Sequence, residues 1–136
     1  MVKGKDIVAC ARTYIDTPFH HQGRVKGVGI DCAGVIIGIG DELGLTNFTV
    51  TGYSRSPSEN LIRKYLNEHF DEIPVDFVKE GDILLFCFDK EPQHVAIYTG
   101  ENLIHAFMQV RKCVEHSYDD LWKARTRGAY RYRGIE

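Results

Sequence analysis

Apolar residues follow two kinds of spacing along the 136 residues, helical in the first half and alternating or continuous in the second. Ile7, Val8, Ala11, Tyr14 and Ile15, with Cys10 on or beside the same face, predict an amphipathic helix near residues 5 to 15. Asp16-Thr17-Pro18 and a loop with Gly23, Gly27 and Gly29 follow, where the backbone turns tightly or lies close to a ligand. Ala33-Gly34-Val35-Ile36-Ile37-Gly38-Ile39 predicts a second helix of about three turns that is buried on most sides. Asp31 suits its N-cap and Gly44 the position just past its C-terminus. Gly34, Gly38 and Gly40 each weaken a helix by roughly 1 kcal/mol relative to alanine, and they predict close packing against a sheet. A third helix is predicted from the capping box Ser56-Pro57-Ser58-Glu59, with Leu61, Ile62, Tyr65 and Leu66 as its buried stripe.

From Ile73 onward the pattern becomes one of short β-rich runs: Asp82 to Phe88, His94 to Thr99, Asn102 to Met108, Lys112 to His116 and Ala129 to Arg133. Gly100-Glu101 marks a hairpin between the second and third. Helices followed by an antiparallel meander define an α+β domain, its N-terminal helices packed on one side of a C-terminal antiparallel sheet. The length suits a single domain over residues 1–136.

Composition narrows the function. With 17 Lys plus Arg against 19 Asp plus Glu, nothing in the total charge calls for nucleic acid. The local basic run Lys123, Arg125, Arg127, Arg131 and Arg133 reads as the solvated face of an edge strand. No apolar run approaches the roughly 20 residues that cross a bilayer, so no membrane insertion is expected. Met1 to Asp6 lack the apolar core of a signal peptide, so export by that route is not expected. Cys10, Cys32, Cys87 and Cys113 lie far apart without a Cys-x-x-Cys pair, which fits reduced thiols, with Cys10 and Cys87 in the core.

Cys32 carries the clearest chemistry. A thiol at a helix N-terminus meets backbone N–H groups and the positive end of the helix dipole, which favour thiolate, the nucleophilic form. A nucleophilic cysteine also needs an imidazole as base and a third group to orient it. A turn at Gly100-Glu101 sets Ala96 opposite His105 and His94 opposite Phe107, so all four side chains project from one face. His94 and His105 become diagonal neighbours on adjacent strands, with Cα atoms about 7–8 Å apart. Packing the Cys32 helix against that face would complete a line of Cys32, His94 and His105.

Three blocks of this chain, Asp31-Cys32-Ala33-Gly34, His94-Val95-Ala96-Ile97-Tyr98 and Ile104-His105-Ala106, resemble the signature of the NlpC family of papain-like cell-wall cysteine peptidases. Thr17-Pro18-Phe19-His20-His21-Gln22-Gly23-Arg24 and the loop ending in Gly29 are similar to the branch encoded in phage tail modules. The resemblance implies a papain-like fold, Cys32 as nucleophile, His94 as base and His105 as orienting residue. It further implies hydrolysis of a peptidoglycan stem peptide between D-γ-glutamyl and the diamino acid, action at the cell wall or periplasm as part of a phage-like tail, and tail-tip proteins as partners. Asp31, Phe19, His21, Gln22 and Ala33 are the expected substrate-binding positions. Phe19 stands where the family usually has a tyrosine, and Ala33 where many members have serine. His21 or Gln22 is a candidate donor to the oxyanion or substrate.

Three rivals remain at this stage. A zinc site could be built from Cys32, His94 and His105, with Cys113 and His116 as a second pair, but no Cys-x-x-Cys or His-Glu-x-x-His supports it, so neither metal nor cofactor is expected. A tail-tip protein could bind the wall without cutting it. A thiol acyltransferase could pass the acyl group to an amine or alcohol.

Overall fold

The computed structural model describes residues 1–47, 61–88 and 92–136. Among the described residues, four helices, α1 (Gly4–Arg12), α2 (Cys32–Glu42), α3 (Leu61–His69) and α4 (Asp120–Arg125), accompany eight strands. A small hairpin pairs β1 (Arg24–Val25) with β2 (Gly29–Ile30). The main sheet holds β3 (Asp71–Ile73), β4 (Ile83–Cys87), β5 (Pro92–Tyr98), β6 (Asn102–Phe107), β7 (Lys112–Ser117) and β8 (Thr126–Arg131), all antiparallel, in the order β3-β8-β4-β5-β6-β7. Among the described residues no helix is long and apolar enough to cross a membrane.

The α2 helix is bounded as its residues demand. The Asp31 side chain accepts from Gly34 N–H at 2.8 Å, a side-chain N-cap. At the other end Gly44 takes φ +71°, its N–H reaching Asp41 O and that of Leu45 reaching Gly40 O, the two bonds of a Schellman turn. The glycines inside α2 do not face the main sheet. A Cβ at Gly34 would strike the Gly23 carbonyl, one at Gly38 the Tyr14 hydroxyl, and one at Gly40 the Thr46 side chain. They admit the β1 loop, the end of the α1 segment and the helix's own following turn. The capping box at 56–59 lies outside the described residues, while Leu66 of α3 is buried and Ile62 packs on the core.

Both faces of the sheet are covered. Ile83 and Leu85 of β4 face α1, α2 and α3 with Val95, Ile97, Ile104 and Ala106, and Val35, Ile36 and Ile39 of α2 complete that layer. Leu84 and Phe86 point the other way, toward Ala96, Leu103, Ala129 and Trp122 of α4. The one-sided packing read from the sequence thus fails at α4. This helix carries the chain from β7 at one edge across the second face to β8, which pairs with β4 and β3.

β8 is consequently an internal strand rather than a solvated edge, and its basic neighbours are engaged. Arg131 reaches the fully buried Asp82 through two bonds of 2.8 and 2.7 Å, while Arg133 Nε lies 3.0 Å from Asp71. Arg125 lies over Phe88 and Trp122, and Lys123 over Tyr118. At the other edge the segment around Thr17 lies along the start of β7. Asp16 N–H meets Cys113 O, Cys113 N–H meets Thr17 O, and Phe19 N–H meets Arg111 O.

Candidate active site

The loop leading into α2 is organised by one carboxylate. Asp31 is 3% exposed; Oδ1 accepts from Gly34 N–H and from Arg24 Nη1 at 3.0 Å, and Oδ2 accepts from Gln22 N–H at 2.9 Å. Gln22 takes a left-handed φ of +60°, so this bond holds a turn that an L residue adopts at some cost. The Gln22 amide nitrogen lies 3.3 Å from His21 Nε2. Phe19 pairs with Ile30 as an isolated parallel bridge and packs against the main core, while Ala33 follows Cys32 on the half-buried start of α2.

The Cys32 sulfur meets the backbone N–H groups of Val95 and Ala33, so the helix start touches β5 one residue past His94. α2 does not pack on the histidine face, as the sequence reading expected. Its side chains lie against Val95, Ile97, Ile104 and Ala106, and by strand alternation His94 and His105 project to the opposite face. The expected register itself is found, with Ile97 opposite Ile104 and Tyr98 opposite Leu103. No further β5–β6 pairs form among the described residues, so the two strands part at the level of His94. Thiol and imidazole therefore come to β5 from opposite faces at neighbouring positions.

His94 Nε2 lies 2.5 Å from His105 Nδ1. The pair sits in an aromatic box: Phe86, Phe88, Phe107 and Trp122 have ring centroids 5.3 to 6.2 Å from that of His94, and Phe107 stacks on His105 at 5.2 Å. Burial leaves His94 5% and His105 1% exposed. A charged imidazole is disfavoured there. Burial first, then His116 and Arg125, hold His94 down to about 3, and burial, His94 and His116 depress His105 as well.

The thiol is likewise kept neutral. Burial and the Asp31 carboxylate push Cys32 up to about 12, outweighing the Val95 and Ala33 N–H groups and Arg24. The helix N-terminus alone would favour thiolate; burial first, and its own N-cap carboxylate second, work against it. Burial thus favours the thiol at Cys32 and the neutral imidazole at His94.

His116 belongs to this cluster in a way the sequence reading missed. His105 Nε2 lies 2.7 Å from His116 Nε2, and His116 Nδ1 lies 3.0 Å from the Ser117 carbonyl. The signal was an interval of eleven residues occurring twice, from His94 to His105 and from His105 to His116. Cys113 does not join His116 as a metal-binding pair. Three residues apart on one strand, they face opposite ways, Cys113 into the main core and His116 toward Trp122.

This combination of N-terminal helices on an antiparallel sheet, with a cysteine opening a buried helix, is that of a papain-like domain. A model of the NlpC/P60 family matches residues 16–131, and the chain belongs to that family. The crystal structure of the NlpC/P60 domain of the peptidoglycan hydrolase SagA superposes with a TM-score of 0.66 at 29% identity, covering 95% of this chain and 98% of that one. An NlpC/P60 family protein from Bacillus cereus gives a TM-score of 0.74 at 21% identity over 96% of this chain and 40% of that chain. The tail tip assembly protein K of Escherichia phage lambda is 32% identical over 63 residues, 46% of this chain. The match spans about a third, 32%, of that relative's length.

Proposed function

We propose that residues 1–136 act as one cysteine peptidase unit that hydrolyses peptidoglycan stem peptides between D-γ-glutamyl and the diamino acid, in a phage or phage-like tail that breaches the cell wall. The observation that carries the reading is the buried His94–His105 pair, bonded at 2.5 Å beside the residue whose amide meets the Cys32 sulfur. Membership of the family supports the substrate class, and the likeness to a tail tip assembly protein supports delivery by a tail and tail-tip partners.

In this reaction Cys32 Sγ gives its proton to His94 as it attacks the scissile carbonyl carbon. Burial favours the neutral form of each group, so in this reading the transfer accompanies attack rather than preceding it. The tetrahedral intermediate collapses to a thioester, and His94 returns the proton to the leaving amine. Water, activated by His94, then attacks the thioester carbonyl, releasing the acid and restoring the thiol. His105 keeps the His94 ring in place. His21, Gln22, Phe19 and Ala33 line the substrate side, with His21 or Gln22 donating to the oxyanion or substrate, and Asp31 acts through the loop it ties down. No cofactor or metal takes part in these steps.

Wild type and Cys32→Ala incubated with purified sacculi, or with an L-Ala-γ-D-Glu-diamino-acid peptide, give products identified by mass. Hydrolysis lost by about a thousandfold or more in Cys32→Ala is expected. Acyl transfer to an added amine would replace the reading with a transferase, and binding without products with a wall-binding role.

A further inference from the structure

We propose that His116 is a positioning residue that fixes the tautomer of His94 through His105, so that the three imidazoles and the Ser117 carbonyl form one directed hydrogen-bond chain. The inference rests on the peptidase reading only in taking His94 as the base for Cys32.

A carbonyl oxygen only accepts, so His116 Nδ1, 3.0 Å from Ser117 O, carries the N–H. A neutral imidazole has one N–H and one lone pair, which leaves His116 Nε2 an acceptor. His105 Nε2, 2.7 Å away, must then donate to it, and His105 Nδ1 is left with the lone pair. His94 Nε2, 2.5 Å from that lone pair, must donate in turn. The lone pair of His94 therefore resides on Nδ1, free to take the thiol proton. Running the chain the other way would set two lone pairs against each other at Ser117.

The far end matters because the middle residue is ambivalent. A carboxylate or amide oxygen in the place of His105 would accept from His94 whatever lay behind it. An imidazole accepts there only when its other nitrogen has an acceptor of its own, and His116 supplies it. The fold holds the three rings in line. His105 pairs with Val114 and Leu103 with His116, which makes His116 a diagonal neighbour of His105, as His94 is on the other side. Trp122 lies against all three, with centroids at 6.2, 5.0 and 5.3 Å. Burial keeps His94 and His105 in the neutral state the chain requires.

Protein labelled with ¹⁵N-histidine reports the tautomer directly, and the spectra are recorded in the Cys32→Ala background as well as in wild type. His94 should carry its proton on Nε2. His116→Leu, which removes the acceptor, should lose that preference and lower kcat by about tenfold or more with KM little changed. His116→Gln, whose amide oxygen can accept, should restore both, whereas His116→Lys, which only donates, should not. A wild-type His94 protonated on Nδ1 overturns the proposal, as does a folded His116→Leu that keeps the wild-type tautomer and kcat. If His116→Leu fails to fold, equal tautomer populations in the Gln and Lys variants overturn it. Absence of Cys32-dependent hydrolysis would defeat the peptidase reading, while the spectra would still decide the tautomer.

Discussion

The two faces of the sheet are equally dry, yet they put dryness to different uses. Under α1, α2 and α3 the layer is aliphatic, with Ile83, Leu85, Val95, Ile97 and Ile104 between 0 and 2% exposed. Burial there simply removes hydrocarbon from water. Under α4 the same degree of burial encloses His94 and His105 among Phe86, Phe107 and Trp122. There it sets protonation, holding both imidazoles in the form that can accept a proton. One sheet thus separates a layer that stabilises from a layer that tunes, and the thiol opens a helix packed on the stabilising side.

Paired substitutions test that division most strongly. Trp122→Ala should cost about 3–5 kcal/mol and Ile39→Ala about 2–5 kcal/mol in urea unfolding. Only the first should also admit water to the histidines and raise their titration toward the ordinary imidazole value. An NMR titration showing equal shifts in both variants would erase the distinction between the faces.

A smaller effect is spread over pH. His94 titrates at about 3 in the folded chain against an ordinary value of 6.5, so the unfolded chain binds its proton first as the solution is acidified. Its contribution to stability is complete above about 6.5 and declines as pH falls toward about 3. His105, depressed likewise, adds to the same slope. Urea midpoints measured across this window should fall less steeply in His94→Gln than in wild type.

The smallest change expected is at the helix start. Asp31→Ala should lose about 0.5–2 kcal/mol with the N-cap and remove the neighbouring charge that raises Cys32. The rate of iodoacetamide alkylation of Cys32 at fixed pH should rise, provided the variant remains folded. An unchanged rate would mean that burial alone governs the thiol.

The candidate site was legible where local chemistry fixes geometry. Asp31 and Gly44 bounded α2, and the short turn at Gly100-Glu101 set the register that brings His94 to His105. The place of His116 beside His105 was missed because its register depends on the turn after β6, where Met108–Val110 form a helical turn and Arg111 takes a left-handed φ of +63°. Nothing in an arginine announces that conformation. The face on which α2 packs was misjudged because Cys32 and His94 were assumed to share it, whereas α2 lies against Val95 and Ile97 while His94 projects from the other face of β5. The inner position of β8 is a long-range property, decided by α4 crossing the sheet. The α4 start was nonetheless written in Asp119, whose side chain accepts from Trp122 N–H at 3.1 Å.

The backbone of residues 16–19 lies along the start of β7, the outermost strand on that side. An uncovered strand there would be a template for a neighbour's backbone. With Arg111 and Cys113 already bonded within the chain, the stretch of that edge left open among the described residues is Val114 to Ser117. The same segment that leads to the Asp31 loop therefore shortens the open margin of the sheet at which a neighbour's strand could join.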